Sequence, residues 1–144
     1  MTGETLSEGD SIPPKTIDEV RESDTKLLAA ILQDPYPPHF NPKRADELGY
    51  PDLLHQGPAN LSYLLQAVTA ALESPTDVRS FDVRYDDMVF VGQTVRATAT
   101  VEETRVENGE GVVTFAVALE NDEGDVAVGG TVEAAVPLDR IDAD

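Results

Sequence analysis

Cysteine is absent from this chain of 144 residues, and histidine occurs only twice. Without cysteine, disulfide bonds and thiolate chemistry are excluded. The two histidines are not part of a cluster with metal-ligand spacing, so we expect no metal centre. The sequence also lacks a signal-peptide pattern and any apolar run long enough to cross a bilayer. We therefore expect a cytoplasmic protein with one domain and one core, spanning residues 1–144.

Basic residues are also scarce, with 10 Lys and Arg against 28 Asp and Glu, which gives a formal net charge of -18. This charge repels phosphate backbones and anionic lipid surfaces, so we expect neither nucleic acid nor membrane as a partner. The acidic residues are spread along the whole chain and do not form a tail. This distribution is typical of halophilic proteins from a salt-rich cytoplasm. A generally acidic protein from a low-salt cytoplasm is the alternative.

The stretch from Pro51 to Ser74 predicts the element around which the chain is organised. Its residues 58–72 form a predicted helix whose large apolar side chains recur at helical spacing. Small alanines fill most of the remaining surface, and a helix this apolar is normally enclosed by other structure. Gly57 allows a close approach at the start, and Pro58 suits the first helical position. The free N–H groups of that first turn make a partly positive end.

A proline-rich loop precedes this helix. Ser23 or Asp24 is expected to cap an earlier helix, which must end near Gln33 because Pro35 disfavours helical geometry at the residue before it. Three prolines lie between Pro35 and Asn41, and they stiffen a loop that must hold side chains in place.

This loop carries Asp34 at its start and His39 near its end. Each has a structural alternative, since an Asp before Pro commonly caps a turn and a single His is commonly packed. Asn41 predicts the cap of a short helix over residues 42–48, with Gly49 as its stop.

The periodicity changes to two after Pro75, which predicts an antiparallel meander. Phe81, Val83 and Tyr85 are expected to face the core from the first of these strands. Three more strands follow, separated by turn signals at residues 108–111 and 121–124, with a bulge or bend expected at Gly129-Gly130. Residues 1–10 and 138–144 are expected to be flexible. The prediction is an α+β fold in which an antiparallel sheet wraps around one long central helix.

The loop and its surroundings resemble the MaoC-like hydratase/dehydratase family of the hot dog fold. The family signature is aspartate, any residue, asparagine, proline, an aliphatic residue and histidine, and Asp34, Pro37 and His39 match it in type and spacing. Gly57 matches the glycine that opens the family's central helix. Three positions depart from the pattern: Tyr36 replaces asparagine, Pro38 replaces an aliphatic residue, and Gln56 replaces a common histidine.

The resemblance implies R-specific hydration of an enoyl-CoA, or dehydration of a 3-hydroxyacyl-CoA, with no cofactor beyond the CoA of the substrate. Asp34 and His39 are then the acid–base pair and the Gly57 N–H the oxyanion donor. Gln56 is expected either to bind the substrate carbonyl or to hold the loop. His55 is expected to pack or to face solvent, without a chemical role.

Two other functions share this fold. A hot dog thioesterase often carries an acidic residue or a serine-type nucleophile on the central helix, where this chain offers only Ser62. A catalytically silent acyl-CoA-binding subunit of a hetero-oligomer is the other alternative, and the three departures favour it. The resemblance also implies a homodimer, because the edges of a single wrapped sheet need covering.

Overall fold

The computed structural model describes residues 4–142, in which one antiparallel sheet wraps around a central helix. Its five strands lie in the order β1-β3-β4-β5-β2. The strands are β1 (Ser11–Ile17), β2 (Val78–Tyr85), β3 (Val95–Glu107), β4 (Glu110–Glu120) and β5 (Val126–Val136). The helices are α1 (Glu22–Leu32), α2 (Pro42–Glu47) and α3 (Gly57–Thr69), with short 3₁₀ turns at Pro37–His39, Pro75–Asp77 and Leu138–Arg140. The predicted α+β arrangement is confirmed.

The helix α3 is the enclosed element that the sequence predicts. Leu64 and Val68 are wholly buried against the concave face of the sheet. The helix begins at Gly57, one residue earlier than expected, and ends at Thr69 instead of residue 72. It ends early because its last turn tightens: Ala71 and Leu72 donate to carbonyls three residues back, at 3.0 and 3.1 Å. Such 3₁₀-type bonds are common at helix ends.

The shorter helices differ in how they begin. In α1 the expected cap at Ser23 or Asp24 is wrong, since Arg21 is the N-cap and contributes no side-chain hydrogen bond. In α2 the predicted cap is confirmed, because Asn41 Oδ1 accepts from the N–H groups of the two residues that follow Pro42, at 3.1 and 3.3 Å. Gly49, at φ +81°, follows the helix as its stop.

The strand β2 lies at an edge of the sheet and pairs only with β5 among the described strands. Phe81 and Tyr85 were expected to face the core, and this is wrong for the single chain, because each is 51% exposed. Val83 between them is half-buried. The alternation of apolar and polar residues indicates that one face of a strand is apolar. It does not indicate whether that face is covered by this chain or by another one.

The two adjacent glycines of β5 do not form the predicted bulge. Gly129 and Gly130 keep regular register with both neighbouring strands. The irregularity lies earlier, at Ala127, which is the extra residue between the pairs formed by Val126 and Val128. Gly130 is required for a different reason: a Cβ there would lie 2.0 Å from the Asp82 carbonyl oxygen of β2.

The two ends of the described chain pack on each other, whereas loosely attached ends were expected. Leu6 donates its N–H to the Arg140 carbonyl at 2.7 Å, and both Leu6 and Ile141 are buried. The buried Arg140 guanidinium donates to the carbonyls of Glu4 and Ala71, at 2.8 and 2.9 Å. It thus joins both ends to the segment after α3. The remaining residues of those predicted ends, 1–3 and 143–144, lie outside the described residues.

Candidate active site

Asp34 is placed by the C-terminal cap of α1. Gln33 takes the left-handed conformation at φ 51°, and the N–H groups of Gln33 and Asp34 donate back to carbonyls of the last helical turn at 3.3 and 3.0 Å. This is the Schellman arrangement, which fixes the direction of the chain as it leaves a helix. The Asp34 Oδ1 atom accepts from the Tyr36 N–H at 3.1 Å. One carboxylate oxygen is therefore used to shape the turn, and Oδ2 is left for another partner.

That partner is His39, at the end of the 3₁₀ turn formed by the proline-rich loop. The distance from His39 Nε2 to Asp34 Oδ2 is 3.2 Å, and the His39 side chain is 9% exposed against 32% for Asp34. The other ring nitrogen, Nδ1, lies 2.7 Å from the Leu54 carbonyl oxygen. The structure thus brings together the two residues that the sequence singles out for acid–base chemistry.

The Leu54 carbonyl determines how the protons of this pair are arranged. A carbonyl oxygen only accepts, so Nδ1 of His39 must carry a hydrogen. The ring then meets the carboxylate through Nε2. The 3.2 Å between Nε2 and Oδ2 is within reach of a hydrogen bond, so a proton can pass between the two groups. A pair of this kind can accept one proton and release another.

The proline-rich loop is fastened to the segment before α3. The Leu54 N–H donates to the Pro38 carbonyl at 3.0 Å, and the His55 N–H donates to the Val89 carbonyl at 2.8 Å. These backbone bonds hold the loop, residues 54–55 and the segment before β3 in one layer. The end of the loop therefore lies beside Leu54, which is three residues before Gly57, where α3 begins.

Tyr36 occupies the position where the resembled family has asparagine. Its ring meets the His39 ring edge-on, with 5.4 Å between centroids and 66° between planes. A side-chain hydrogen bond with Tyr36 raises the pKa of Tyr50, and burial raises it further. The Tyr36 ring therefore packs against His39 at the position where the resembled family has an asparagine amide.

Gly57 provides a free backbone donor at the start of α3. Pro58 has no N–H, and the N–H groups of Ala59 and Asn60 both donate to the Gln56 carbonyl. The Gly57 N–H makes no hydrogen bond within residues 4–142. A Cβ at this position would meet the Tyr85 ring at 3.2 Å. The glycine thus leaves room for Tyr85, whose hydroxyl donates to the Gly57 carbonyl at 3.2 Å.

Gln56 lies in the interior of the chain. It is wholly buried, and its Nε2 donates to the Thr25 carbonyl at 2.8 Å. Thr25 belongs to α1, so this contact holds that helix and not the proline-rich loop. Its Oε1 and the Oδ1 of Asn60, one turn further along, have no partner in the described part of the chain. Unpaired buried acceptors are costly, at about 1–3 kcal/mol each.

Three further side chains lie next to the Gln56 segment, two of them buried (Thr25 and His55) and one half-buried (Tyr63), and no sequence pattern pointed to a role for them. His55 is 2% exposed, so it packs and does not face solvent. Its Nδ1 lies 2.8 Å from Thr25 Oγ1, and its Nε2 lies 2.9 Å from the Tyr63 hydroxyl. Burial lowers the pKa of His55 to about 4, Asp24 opposes this shift, and His39 adds to it. Burial also raises the pKa of Tyr63.

Residues 4–142 contain no group of three or more His, Cys, Asp or Glu side chains arranged to hold a metal ion. Within the same range, every helix is too short or too polar to span a membrane.

The fold is shared with solved hydratases. The structure of the R-hydratase PhaJ1 from Pseudomonas aeruginosa aligns over 92% of this chain and 83% of its own, with a TM-score of 0.81 and 22% identity. An (R)-hydratase from A. caviae involved in PHA biosynthesis aligns over 94% of this chain and 100% of its own, with a TM-score of 0.82 and 19% identity. The expected hot dog fold is thereby confirmed.

A chain from an assembly of two proteins also has this fold. The ChsH1-ChsH2 complex from Mycobacterium tuberculosis contains a chain that aligns over 90% of this chain and 97% of its own, with a TM-score of 0.75 and 19% identity. Among proteins with curated descriptions, none matches this sequence.

The sequence itself places the chain in a family. Residues 6–123 match the family described as the MaoC like domain, and this stretch includes the proline-rich loop, α3 and most of the sheet. The chain therefore belongs to the family of MaoC-like domains.

Proposed function

We propose that the protein is a hydro-lyase that adds water to an enoyl-CoA, or removes it from a 3-hydroxyacyl-CoA. The observation that carries this proposal is the contact of 3.2 Å between Asp34 Oδ2 and His39 Nε2. The pair lies on a loop stiffened by prolines, and it is joined through Leu54 to the segment that leads to the free Gly57 N–H. Membership in the MaoC-like family supports the reaction class.

In this mechanism Asp34 and His39 together provide both proton transfers of the hydration. Starting from imidazolium and carboxylate, Asp34 takes a proton from water while the hydroxide oxygen bonds to the β-carbon of the enoyl thioester. The electrons of the double bond move toward the thioester oxygen, and His39 Nε2 delivers its proton to the α-carbon. Asp34 is then protonated and His39 neutral, and the proton returns from Oδ2 to Nε2. Dehydration is the same sequence in reverse.

The Gly57 N–H stabilises the charge that develops on the thioester oxygen. It is the unpaired donor of the first turn of α3, and it points out of the positive end of a helix of 13 residues. Fixed donors at such a position favour the transition state over the substrate. Gln56 takes no part in this binding, because it holds α1 through the Thr25 carbonyl.

The test is a spectrophotometric assay of the enoyl thioester with a panel of trans-2-enoyl-CoA esters. We predict that Asp34→Asn and His39→Gln each lower kcat by about 10²–10⁴-fold, with a far smaller change in KM. The double variant is expected to be little worse than the poorer single variant, because groups that act as a unit are not additive. Asp46→Asn, at an exposed carboxylate of α2, is the matched control and should keep full activity. Full turnover in both site variants would contradict the assignment.

A silent acyl-CoA-binding subunit of a hetero-oligomer is the second candidate, favoured by Tyr36 at the asparagine position of the family. It predicts a wild type that binds acyl-CoA and hydrates nothing, and a gain of turnover in Tyr36→Asn. A thioesterase is less well supported, since Ser62 donates its hydroxyl to the Ala59 carbonyl at 2.6 Å and α3 contains no carboxylate. Release of free CoA from a saturated acyl-CoA would favour it.

A further inference from the structure

A chain of three hydrogen-bonded side chains, of which Thr25 and His55 are buried and Tyr63 is half-buried, leads away from the segment that holds His39. It runs from Tyr63 on α3, through His55, to Thr25 on α1, with contacts of 2.9 Å and 2.8 Å. The Thr25 hydroxyl also lies 3.1 Å from the Arg21 carbonyl oxygen. The Tyr63 and His55 rings are nearly parallel, at 18° and 5.8 Å between centroids.

One arrangement of hydrogens satisfies every contact in this chain. The Arg21 carbonyl only accepts, so it takes the single hydroxyl hydrogen of Thr25. Thr25 Oγ1 must then accept, which places a hydrogen on His55 Nδ1. Nε2 of the neutral ring is left as an acceptor, and it takes the hydroxyl hydrogen of Tyr63. The neutral state agrees with the lowered pKa of His55, which burial causes.

These contacts attach α1 to the rest of the protein. Thr25 and Ala29 are the buried residues of α1, whereas Leu27 and Ile31 are 59% and 64% exposed. The helix therefore has little apolar anchorage of its own. Thr25 compensates by accepting two hydrogen bonds from one short segment: its hydroxyl oxygen accepts from His55 Nδ1, and its carbonyl accepts from Gln56 Nε2.

The same segment holds both members of the acid–base pair. Leu54 fixes His39 through its carbonyl, while His55 and Gln56 fix α1, whose C-terminal cap orients Asp34. A shift of α1 relative to residues 54–56 would change the distance between Oδ2 and Nε2. Displacements of about 1 Å in a catalytic geometry can lower the rate about 100-fold.

We propose that Thr25 and His55 are positioning residues, which set the Asp34–His39 contact by locking α1 to the segment before α3. The inference rests on the proposed function for its kinetic consequence, but the hydrogen-bond arrangement exists without substrate. His55 is held as the Nδ1–H tautomer by Thr25, and His39 is held as the same tautomer by Leu54.

The kinetic arm compares Thr25→Val with Thr25→Ser. Valine keeps the shape of threonine but leaves the His55 Nδ1–H without an acceptor, whereas serine retains the hydroxyl. We expect Thr25→Val to lower kcat about 10–100-fold with KM nearly unchanged, and Thr25→Ser to stay within about threefold of the wild type. A Thr25→Val variant that folds and keeps the wild-type kcat would overturn the positioning role.

The second arm is substrate-free and uses the fact that the chain has only two histidines. Long-range ¹H–¹⁵N correlation spectra report the tautomer of each ring. We expect the Nδ1–H form for neutral His55 in the wild type and in Thr25→Ser, and altered ring signals of both histidines in Thr25→Val. An Nε2–H tautomer of His55 in the wild type would overturn the proposal without any variant.

If Thr25→Val does not fold, Tyr63→Phe takes its place. This change removes only the donor to His55 Nε2, so we expect a smaller loss of kcat and an intact Nδ1–H tautomer. Loss of that tautomer would overturn the hydrogen arrangement. A wild type without hydratase activity contradicts the proposed function alone, and the spectra then decide the positioning arrangement separately.

Discussion

Protonation of His55 limits the stability of the protein in acid. The ring is buried beside Thr25 and Tyr63, and burial lowers its pKa from the ordinary 6.5 to about 4. Above pH 6.5 the ring is neutral in both the folded and the unfolded chain, so it contributes no pH dependence. Below 6.5 the unfolded chain takes up a proton that the folded chain takes up only near pH 4. Stability is therefore lost as the pH falls through this window.

We predict that His55→Gln flattens the pH dependence of the free energy of unfolding. The wild type should lose up to about 3 kcal/mol more than the variant between about pH 7 and pH 4, because one additional proton is bound on unfolding. Urea denaturation of both proteins across this range measures the difference. Parallel curves would show that His55 is protonated in the folded state and would contradict the burial argument.

The residue pattern of the loop predicted Asp34 and His39, but it did not predict the residues behind them. Their spacing and their place before an apolar helix are local features of the sequence. The contact between Thr25 and His55 joins positions 30 residues apart, and no periodicity marks it. Thr25 is a polar residue on the buried side of an amphipathic helix. A single polar residue there does not predict a hydrogen bond to a distant segment. The role of Gln56 depended in the same way on a partner distant in sequence.

Among the strands, the contact between β2 and β5 depends on one glycine. A Cβ at Gly130 would overlap the Asp82 carbonyl oxygen at 2.0 Å and approach the Val83 Cα at 2.8 Å. Both atoms belong to the backbone of β2, so a side-chain rotation cannot relieve the overlap. Gly130 also has φ +156°, which L-residues rarely adopt.

We predict that Gly130→Ala destabilises the protein by at least about 2 kcal/mol, since it combines overpacking with backbone strain. Gly129→Ala is the matched control, because its Cβ would meet only the Val126 side chain at 3.3 Å and a carbonyl at 3.6 Å. Thermal or urea unfolding of the two variants measures the contrast. Equal stabilities would show that β2 moves freely away from β5.

The elements were largely predictable because their periodicity is a property of neighbouring residues. The helix α3, the cap of α2 at Asn41 and the hairpin between β3 and β4 all follow from local chemistry. One error was local, because Arg21 and not Ser23 or Asp24 is the N-cap of α1. The other errors concern the position of an element in the whole fold: Phe81 and Tyr85 lie on an edge strand, and Gly130 is required by the close approach of β2.

For the molecule as a whole, the net charge of -18 determines its response to salt. Repulsion among surface carboxylates opposes the compact state, and added ions screen it. Salt also weakens exposed ion pairs such as Arg44–Glu47, at 3.1 Å, but each of these contributes at most about 1 kcal/mol. We therefore predict that Tm rises with KCl concentration. Thermal melts in a KCl series test this, and a Tm that is constant or falls would contradict the halophilic interpretation.

We also predict that the protein is a homodimer, with the β2 edge in the interface. Phe81 and Tyr85 are large, half exposed and adjacent to unpaired backbone groups of an edge strand, a surface that proteins normally cover. Light scattering should give twice the mass of one chain. Phe81→Glu should shift the protein toward monomer, whereas the control Val106→Glu, at an exposed site on β3, should not. A stable wild-type monomer would contradict this prediction.

The buried Arg140 has a consequence for how the protein is made. Arg140 and Ile141 close the contact with Leu6 and with the segment after α3. The strand β2 must likewise wait for β5, which is translated about forty residues later. A ribosome therefore releases α3 well before the strands that enclose it, and the apolar helix stays uncovered at least until β5 has been synthesised.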